Sequence, residues 1–374
     1  MINYTTVQTF INQAGLVSPS NIQGYDPNRH IQLTMNFSFG IQQDVGFGTV
    51  LDVSYVGALG RHLLERFNLN SIPFGSDYLA KSLDSTNGNK VLPSQYLRPY
   101  LGYGDIFFYG FGANSSYHSL QTTVRRRYKN NLTYGAVWTW SKAMDYADDD
   151  ASGANETVSS LINPKIYNYG KAGFDHTHIF RVYWNYNLPR ASNLLHHAIV
   201  KGVADNWQIS GIASFQSGAP LGIGTSYSPS QDITGSPSDP NARVILTGDP
   251  VLPKDQHVDL HAFNTAVVTA PPYAVCEVPN PPLICSGNAP KDVFRGPGIN
   301  NWDMSLFKNF NLRGERLRGQ FRVEAYNVFN HTNFSGVDTT ARFNASGQQT
   351  STTFGLYNAA QFPRRLQLAM RIEF

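Results

Sequence analysis

The sequence predicts an all-β fold: an antiparallel transmembrane β-barrel, of which this chain forms a part. Three observations predict it: long stretches in which apolar and polar residues alternate, an aromatic residue at the C-terminus, and connections that are alternately short and long. Alternation with a period of two gives a strand one apolar and one polar face. In a membrane barrel these faces meet lipid and a watery lumen.

The composition agrees with this fold class. Charged residues make up 15% of the 374 residues and aromatic residues 13%, a balance that suits strands with interfacial aromatic girdles. The net charge of +3 arises from 29 basic and 26 acidic residues, which gives no reason to expect a nucleic-acid partner. No apolar run reaches the ~18 residues of a transmembrane helix.

The first long alternation covers residues 31–42, where apolar and polar side chains alternate six times. It exceeds the ~5–6 residues of a typical soluble strand and suits the ~9–11 residues with which a tilted strand crosses a bilayer. We therefore assign residues 30–374 to the barrel and residues 1–29 to an incoming loop, within which residues 5–11 could form a further strand.

Eight further strands follow the same pattern. In the first of them, Gly57 and Gly60 are expected to bend the strand or form a bulge. The predicted strands span 50–70, 117–128, 132–144, 180–188, 207–217, 302–310, 321–326 and 366–374.

The connections alternate in length. Short periplasmic turns and long extracellular loops are typical of bacterial outer-membrane barrels, so the expected location is the bacterial outer membrane, with its lipid as one partner. One connection of medium length, 189–206, occupies a short-turn position. Tight turns are predicted at 43–48, 129–131 and 312–316, and long loops at 71–116, 145–175, 218–300 and 331–362.

The strand count predicts a barrel larger than this chain. Bacterial single-chain barrels have an even number of strands, whereas the pattern gives roughly 9–11 with nine most clearly marked. The N-terminus also lacks the basic and apolar regions of a secretory signal. We expect the C-terminal portion of a larger barrel, which in isolation would stay open with two unpaired edges.

The closing strand carries a candidate barrel-assembly signal. It resembles the C-terminal signal by which the barrel-assembly machinery recognises its clients, although a plain last strand is compatible with the same residues. Its alternate apolar positions are Leu366, Leu368, Met370, Ile372 and Phe374.

Several segments resemble one family, the Oar-like type of TonB-dependent outer-membrane receptor, in which a carboxypeptidase-regulatory-like domain and a plug precede the barrel. Order and spacing hold from about residue 25 to the C-terminus. The most specific block, 295–310, contains Arg295, Gly296, Pro297, Gly298, Asn301, Trp302 and Asp303. Other matching stretches are 36–43, 53–57, 60–63, 117–121, 139–142, 174–178, 206–211, 216–220 and 321–331.

The resemblance implies a receptor or transporter barrel that captures an unidentified ligand with its extracellular loops and passes it through a polar lumen. A complete barrel of this type has ~22 strands and a plugged lumen. The sequence shows no plug, TonB box or regulatory-like domain. Contact with the TonB complex would therefore run through a plug that this sequence does not contain.

Two other functions also fit the pattern. One is a self-standing small outer-membrane barrel, a porin or an adhesin. The other is a secreted β-sandwich that binds a ligand, which would be soluble without detergent. The length of the strands and the one-sided distribution of loops favour the receptor barrel over the sandwich.

Cys276 and Cys285 are the only cysteines and lie in the longest predicted loop. Their even number and their spacing allow a small disulfide loop in an oxidising compartment. The alternative is a pair of free thiols.

The remaining polar clusters have simple interpretations. Three aspartates at 148–150 lack the alternate spacing of a calcium loop and fit a solvated loop tip. His176 and His178, like the pair at 196–197, lack further metal ligands nearby. Three arginines at 125–127 fit a barrel end better than a nucleic-acid site. No nucleophile elbow or phosphate-binding loop is present, so neither an enzyme nor a cofactor or metal is expected.

We predict that Phe374→Asp reduces assembly into the outer membrane, because a charged terminal residue breaks the apolar pattern of the closing strand. Heat-modifiable migration of the protein in outer-membrane fractions measures assembly. The neighbouring polar change Glu373→Gln serves as the control, and unchanged migration of the Phe374 variant would contradict the prediction.

Overall fold

The computed structural model describes residues 19–373 apart from 29, 130, 147–158, 194–197, 229–234, 237–242, 254–259, 272–286, 314–316 and 345. Nine long strands, here called the wall strands, dominate this part of the chain. They are β1 (Leu33–Gly46), β2 (Thr49–Asn68), β3 (Ile106–Lys129), β4 (Leu132–Asp145), β5 (His178–Asn187), β6 (Trp207–Gln216), β7 (Ile299–Arg313), β8 (Leu317–Tyr326) and β9 (Arg365–Glu373).

The wall strands form one antiparallel sheet in which every strand pairs with its neighbours in the chain. In the described residues, β1 and β9 each pair on one side only, so the barrel is not closed. The nine strands and the open edges agree with the sequence prediction, and the fold class is confirmed. A secreted sandwich does not fit, because the wall strands lie in a single sheet rather than in two packed layers.

The register places apolar residues from successive strands in continuous rows on one face of the sheet, here called the outer face. Residues directly opposite each other in an antiparallel pair share a face. One such row crosses five strands through Val124, Ala136, Val182, Ala213 and Trp302. Because no second sheet covers the row in the described residues, the outer face is available to lipid.

The opposite face, here called the inner wall, carries most of the polar and charged residues of the strands, with apolar residues such as Val137 and Ile212 among them. The row next to the one above runs through Thr123, Val137, Arg181, Ser214 and Asn301. In β7, β8 and β9, the polar residues that alternate with the apolar ones also lie on the inner wall, where they are directly opposite one another in register. The predicted division into a lipid face and a lumen face therefore extends across the sheet.

Short and long connections lie at opposite ends of the wall. The tightest turn joins β1 to β2 through Gly46, Phe47 and Gly48, all with φ between +55° and +86°. Glycine adopts this left-handed backbone without steric cost, which explains the glycine on each side of Phe47. The other connections at this end are 130–131, 314–316 and the medium-length 188–206, and the long ones at the opposite end are 69–105, 146–177, 217–298 and 327–364.

The largest apolar core lies in the long loops rather than in the wall. Loop segments from 217–298 and 327–364 together form what we call the loop body. At its centre, the ring of Phe263 lies 4.3 Å from that of Phe294 and 5.2 Å from that of Phe354. Its fully packed members are Ile223, Val244, Phe263, Val268, Ala289, Phe294, Ala341, Phe343 and Phe354.

Two boundaries differ from the sequence prediction. The segment 1–29, predicted as a loop, contains a strand at Ile22–Tyr25 that pairs in parallel with Ile106–Tyr109. Residues 5–11 lie outside the described residues. The strand predicted from residue 117 begins at Ile106 instead. Its additional residues pair with the C-terminal part of β2. Glycines at 110 and 112 interrupt the apolar alternation there and hide the extension from a pattern search.

The smaller elements lie in the connections. Among the described residues, no helix is long and apolar enough to cross a membrane. Helices span Ser94–Leu97, Pro164–Tyr167 and Ala198–Ala204, and 3₁₀ turns span Ser76–Tyr78, Ala80–Ser82, Ala191–Asn193 and Thr265–Val267. Short strands span Leu83–Asp84, Lys90–Val91, Gly170–Lys171, Pro220–Leu221, Gly224–Ser228, Ile245–Leu246, Val268–Thr269, Phe294–Arg295, Phe334–Val337, Thr340–Asn344 and Tyr357–Ala360.

We predict that Ala136→Arg, in the middle of the outer face, destabilises the membrane-embedded protein by ~2–4 kcal/mol, because the guanidinium would be placed among lipid tails. The same change at Thr139, three residues away on the inner wall, should cost much less. Unfolding by denaturant in lipid vesicles measures both. Equal losses for the two variants would contradict the assignment of faces.

Candidate functional site: the loop-end junction and the inner wall

Three of the segments singled out in the sequence meet where the long loops join the wall, in what we call the junction. The Nη2 atom of Arg295 lies 2.5 Å from Oδ2 of Asp175, whose side chain is only 1% exposed. The Nη1 atom of Arg295 donates to the carbonyl oxygens of Asp175 and Gly218. The other carboxylate oxygen of Asp175 accepts from the backbone N–H of Ala143, at 2.6 Å. Asp175 and Arg295 therefore join β4, β6 and the start of β7.

Close backbone approach fixes the same junction. A Cβ atom at Gly218 would lie 1.8 Å from the carbonyl oxygen of Gly296, so neither segment could approach the other with a larger residue at 218. The short strands Pro220–Leu221 and Phe294–Arg295 pair directly beyond this contact. On the other side, Nδ1 of His176 lies 2.7 Å from the carbonyl oxygen of Ser217.

The rest of the predicted family-like block ties β7 to the loop that follows β8. Oδ1 of Asp303 accepts from the side-chain amide of Asn301 and from the backbone N–H of Asn327. The indole N–H of Trp302 donates to the side chain of Asn300, and the Trp302 ring meets Phe329 edge to face at 5.6 Å. These bonds hold the loop end of the last hairpin in one conformation.

Two further ion pairs brace the junction. Nζ of Lys291 lies 2.9 Å from Asp145 at the end of β4, and Nζ of Lys171 lies 2.7 Å from Asp292. Both carboxylates are mostly buried, with side chains 12% exposed. A pair that is partly shielded from water holds more strongly than an exposed one. The loop body is thus attached to the wall by charge as well as by backbone contacts.

Asp338 organises a turn of the loop body. Burial alone would raise its pKa, but hydrogen bonds from Thr353, the backbone N–H of Thr340 and Arg342 outweigh burial, so its pKa is lowered. The bonds from Thr353 and Arg342 measure 2.7 and 3.1 Å. Because these donors favour the ionised carboxylate, the turn is most stable above the usual pKa of an aspartate and weakens as the pH falls through the lowered pKa.

The inner wall of the last three strands contains a cleft at each end. The cleft at the loop end has a volume of about 800 Å³. Arg365, whose guanidinium lies 3.6 Å from the ring centroid of Phe362, forms part of its lining. The other polar side chains that line it include Asn301, Asp303, Tyr326, Asn333, Gln361 and Gln367.

The cleft at the turn end has a volume of about 620 Å³ and is rich in arginine. The side-chain amide of Gln320 donates to Asn309 at 2.7 Å, and its carbonyl oxygen accepts from Nε of Arg322 at 2.5 Å. The Arg322 guanidinium also lies 5.3 Å from the ring centroid of Phe307. Arg322 is therefore held in place, with Arg318 and Arg371 lining the same cleft. Such a surface suits carboxylates and other anionic groups.

The remaining residues singled out in the sequence are distributed as follows. Cys276, Cys285, Phe374, the aspartates at 148–150 and the histidines at 196–197 lie outside the described residues. The ring of His178 stacks on Trp138 and Trp140. Leu366, Leu368, Met370 and Ile372 lie in β9 with more than half of each side chain exposed.

Two arginines of the predicted cluster, Arg125 and Arg126, lie on opposite faces of the wall. Arg125 lies on the inner wall, while Arg126 lies on the outer face with its guanidinium 5.9 Å from the centroid of Tyr134. Within the described ranges, no group of three or more His, Cys, Asp or Glu residues could hold a metal ion.

Sequence reasoning missed the meeting of Asp175 with Arg295 and the clefts of the inner wall. Both are built by residues far apart in the chain, so no local pattern marks them. One indication was available, because both residues lie in segments that resemble the same family, at the ends of successive long loops.

A single sheet of sequentially paired strands, apolar outside and polar inside, defines the wall of a membrane-spanning β-barrel. The sequence matches the family model described as "outer membrane beta barrel domain" over residues 3–367. The chain therefore belongs to this family and is located in the bacterial outer membrane. A comparison with curated protein sequences finds no match.

Solved structures similar to this chain include an outer membrane transporter and an import receptor. The outer membrane transporter YddB from Escherichia coli is 9% identical, with 96% of this chain and 34% of YddB covered and a TM-score of 0.46. The ferric-catecholate import receptor Fiu from E. coli K12 is 11% identical, with 96% and 30% covered and a TM-score of 0.39. P. aeruginosa FpvA, solved with heterologous pyoverdines, is 10% identical, with 91% and 27% covered and a TM-score of 0.36. The chain spans about a third or less of the length of each protein.

We predict that Arg295→Gln loosens the junction, because it leaves the buried carboxylate of Asp175 without its cation. The expected cost is ~2 kcal/mol, below the ~3–5 of a fully buried pair because Arg295 is partly exposed. Hydrogen exchange of backbone amides at 217–220 and 294–298 should accelerate, while exchange in the wall strands stays slow. Arg342→Gln, which breaks a pair with Asp338 away from the junction and whose arginine is 47% exposed, is the matched control. Equal acceleration in both variants would contradict the role of Arg295.

Proposed function

We propose that this chain is part of the barrel of a TonB-dependent outer-membrane receptor of the Oar-like type. In this proposal the loop body captures a ligand and the inner wall offers it a polar path towards the periplasm. No catalytic role is assigned to the chain. The TonB complex would act through a plug, and the barrel-assembly machinery would insert the wall through β9.

The observation that carries the proposal is the polar track along β7, β8 and β9. The loop-end cleft contains Asp303 and Gln367, and the turn-end cleft contains Gln320 and Arg371 on the same strands. A solute that leaves the loop body thus meets hydrogen-bonding groups at both ends of the wall. An adhesin has no need of such a track.

The open edges support a receptor barrel over a self-standing small barrel. Strand edges that stay unpaired in a membrane leave backbone N–H and C=O groups without partners, which costs several kcal/mol for each group. In the described residues, β1 and β9 both carry such an edge. Pairing with further strands would satisfy both edges and widen the lumen enough to hold a plug.

We expect a cysteine introduced at Gln320 to be shielded by a plug and exposed when TonB acts. In a Cys276→Ser, Cys285→Ser background, a membrane-impermeant maleimide should label Gln320→Cys at least tenfold more slowly in cells that lack TonB activity than in energised cells. A cysteine at Gln349, in an exposed loop, should react rapidly in both.

Equal and rapid labelling of both positions, with or without TonB, would indicate an open porin and overturn the proposal. The DNA upstream of Met1 gives an independent test. In-frame sequence that encodes a plug and a TonB box supports a receptor, and its absence supports a self-standing barrel.

A further inference from the structure

The outer face of the wall is largely apolar, and the charged side chains on it are basic. Where the nine strands run in uninterrupted register, no outward-facing residue is Asp or Glu. The acidic residues of the same stretches, such as Asp52 and Glu324, face the inner wall. The outward-facing basic and histidine residues are Arg61, His118, Arg126, Lys142, His178 and Lys308.

The basic residues at the turn end have partners within the protein. Nζ of Lys308 donates to the carbonyl oxygen of Asp205 and lies 5.5 Å from the Trp207 ring. Arg126 lies over the ring of Tyr134. Lys142, at the loop end, is exposed and makes no hydrogen bond or ion pair with any described residue. Its ammonium group is therefore free to meet an anionic group outside the described chain.

Lys142 lies about one apolar-band height above the turn end of β4. It is ten positions after Leu132, the first residue of β4, and the outward-facing residues between them are Tyr134, Ala136, Trp138 and Trp140. Ten residues of an antiparallel strand tilted by ~40° rise about 26 Å, close to the ~25 Å height of a barrel's apolar band. With Leu132 at the turn-end border of the hydrocarbon, Lys142 is the first charged residue beyond the opposite border on this strand.

His118 lies directly opposite Lys142 on the neighbouring strand, so their Cα atoms are ~5 Å apart. The hydroxyl of Tyr55 lies 2.7 Å from Nδ1 of His118, which leaves Nε2 as the ring nitrogen available to a ligand. Tyr55 and Phe37 pack against the imidazole at 6.2 and 6.3 Å and fix its orientation. A held imidazole nitrogen and a lysine ammonium therefore stand side by side.

One row below, large aromatic side chains face the lipid. Trp140 is 52% exposed and Tyr55 is 42% exposed, as expected of residues in an interfacial belt. A ligand at Lys142 and His118 would therefore present an anionic group at the headgroup level and apolar chains against this belt.

We propose that Lys142 and His118 bind the phosphate group of a phosphorylated lipid in the outer leaflet. Lysine is a strong point-charge partner for phosphate, and a basic side chain next to an anionic membrane surface contributes ~1 kcal/mol to binding. The site does not depend on transport, because it lies on the face opposite the inner wall.

The full chain, assembled in outer membranes and extracted in mild detergent, provides the test. Native mass spectrometry would compare three probes: diphosphoryl lipid A, the same glycolipid after dephosphorylation, and inorganic phosphate. The bisphosphorylated lipid should bind most tightly, and Lys142→Gln should weaken its binding about fivefold, which corresponds to ~1 kcal/mol. Lys142→Arg should retain binding, and His118→Phe should weaken it.

Lys165→Gln, at an exposed lysine of the loop helix Pro164–Tyr167, is the matched control and should leave binding unchanged. Equal affinity for the dephosphorylated glycolipid, or undiminished binding by Lys142→Gln with heat-modifiable migration intact, would overturn the proposal. Displacement of the lipid by inorganic phosphate at similar concentration would assign the site to free phosphate instead and would also overturn it.

Discussion

Backbone hydrogen bonding inside a membrane is the constraint on which this structure depends. Hydrocarbon offers no partner for an N–H or C=O group, so every residue of a spanning strand must pair with a neighbouring strand. Continuous pairing fixes the register, and the register in turn decides which side chains meet lipid. The register turns the row from Val124 to Trp302 towards lipid, and this row is apolar. A one-residue slip would instead move the inner-wall arginines into the bilayer.

The wall and the loop body solve different packing problems. A wall strand needs no apolar interior of its own, since lipid covers its outer face and polar groups line the other. The loops stand in water and must build a core, which they do with phenylalanines such as Phe263 and Phe343. Asp175 and Arg295 connect the two regions by placing one mostly buried ion pair where both meet. The loop body is thereby fixed to the ends of the wall strands.

The sequence could predict the wall strands but not the loop body, and the reason is physical. In β4 and β9 the environment changes with every residue, so lipid and water impose a period of two that is visible in the sequence. The loop body has no such periodicity, and its contacts join residues far apart, such as Gly224 with Thr340. The same distance hid the partner of Asp175. The parallel strand at Ile22–Tyr25 was missed because four residues are too few to show a period.

The sequence separation of the junction contacts has a consequence for the order in which the molecule forms. Each wall strand pairs with its neighbour along the chain, so hairpins can be added one after another with little loss of chain entropy. Arg295 and Asp175 are 120 residues apart, and β5 and β6 lie between them in the chain. Arg295 also donates to the carbonyl oxygen of Gly218, directly after β6, and Asp175 accepts from the backbone N–H of Ala143 in β4. We therefore expect the junction to close late, after the strands on both sides of it have paired.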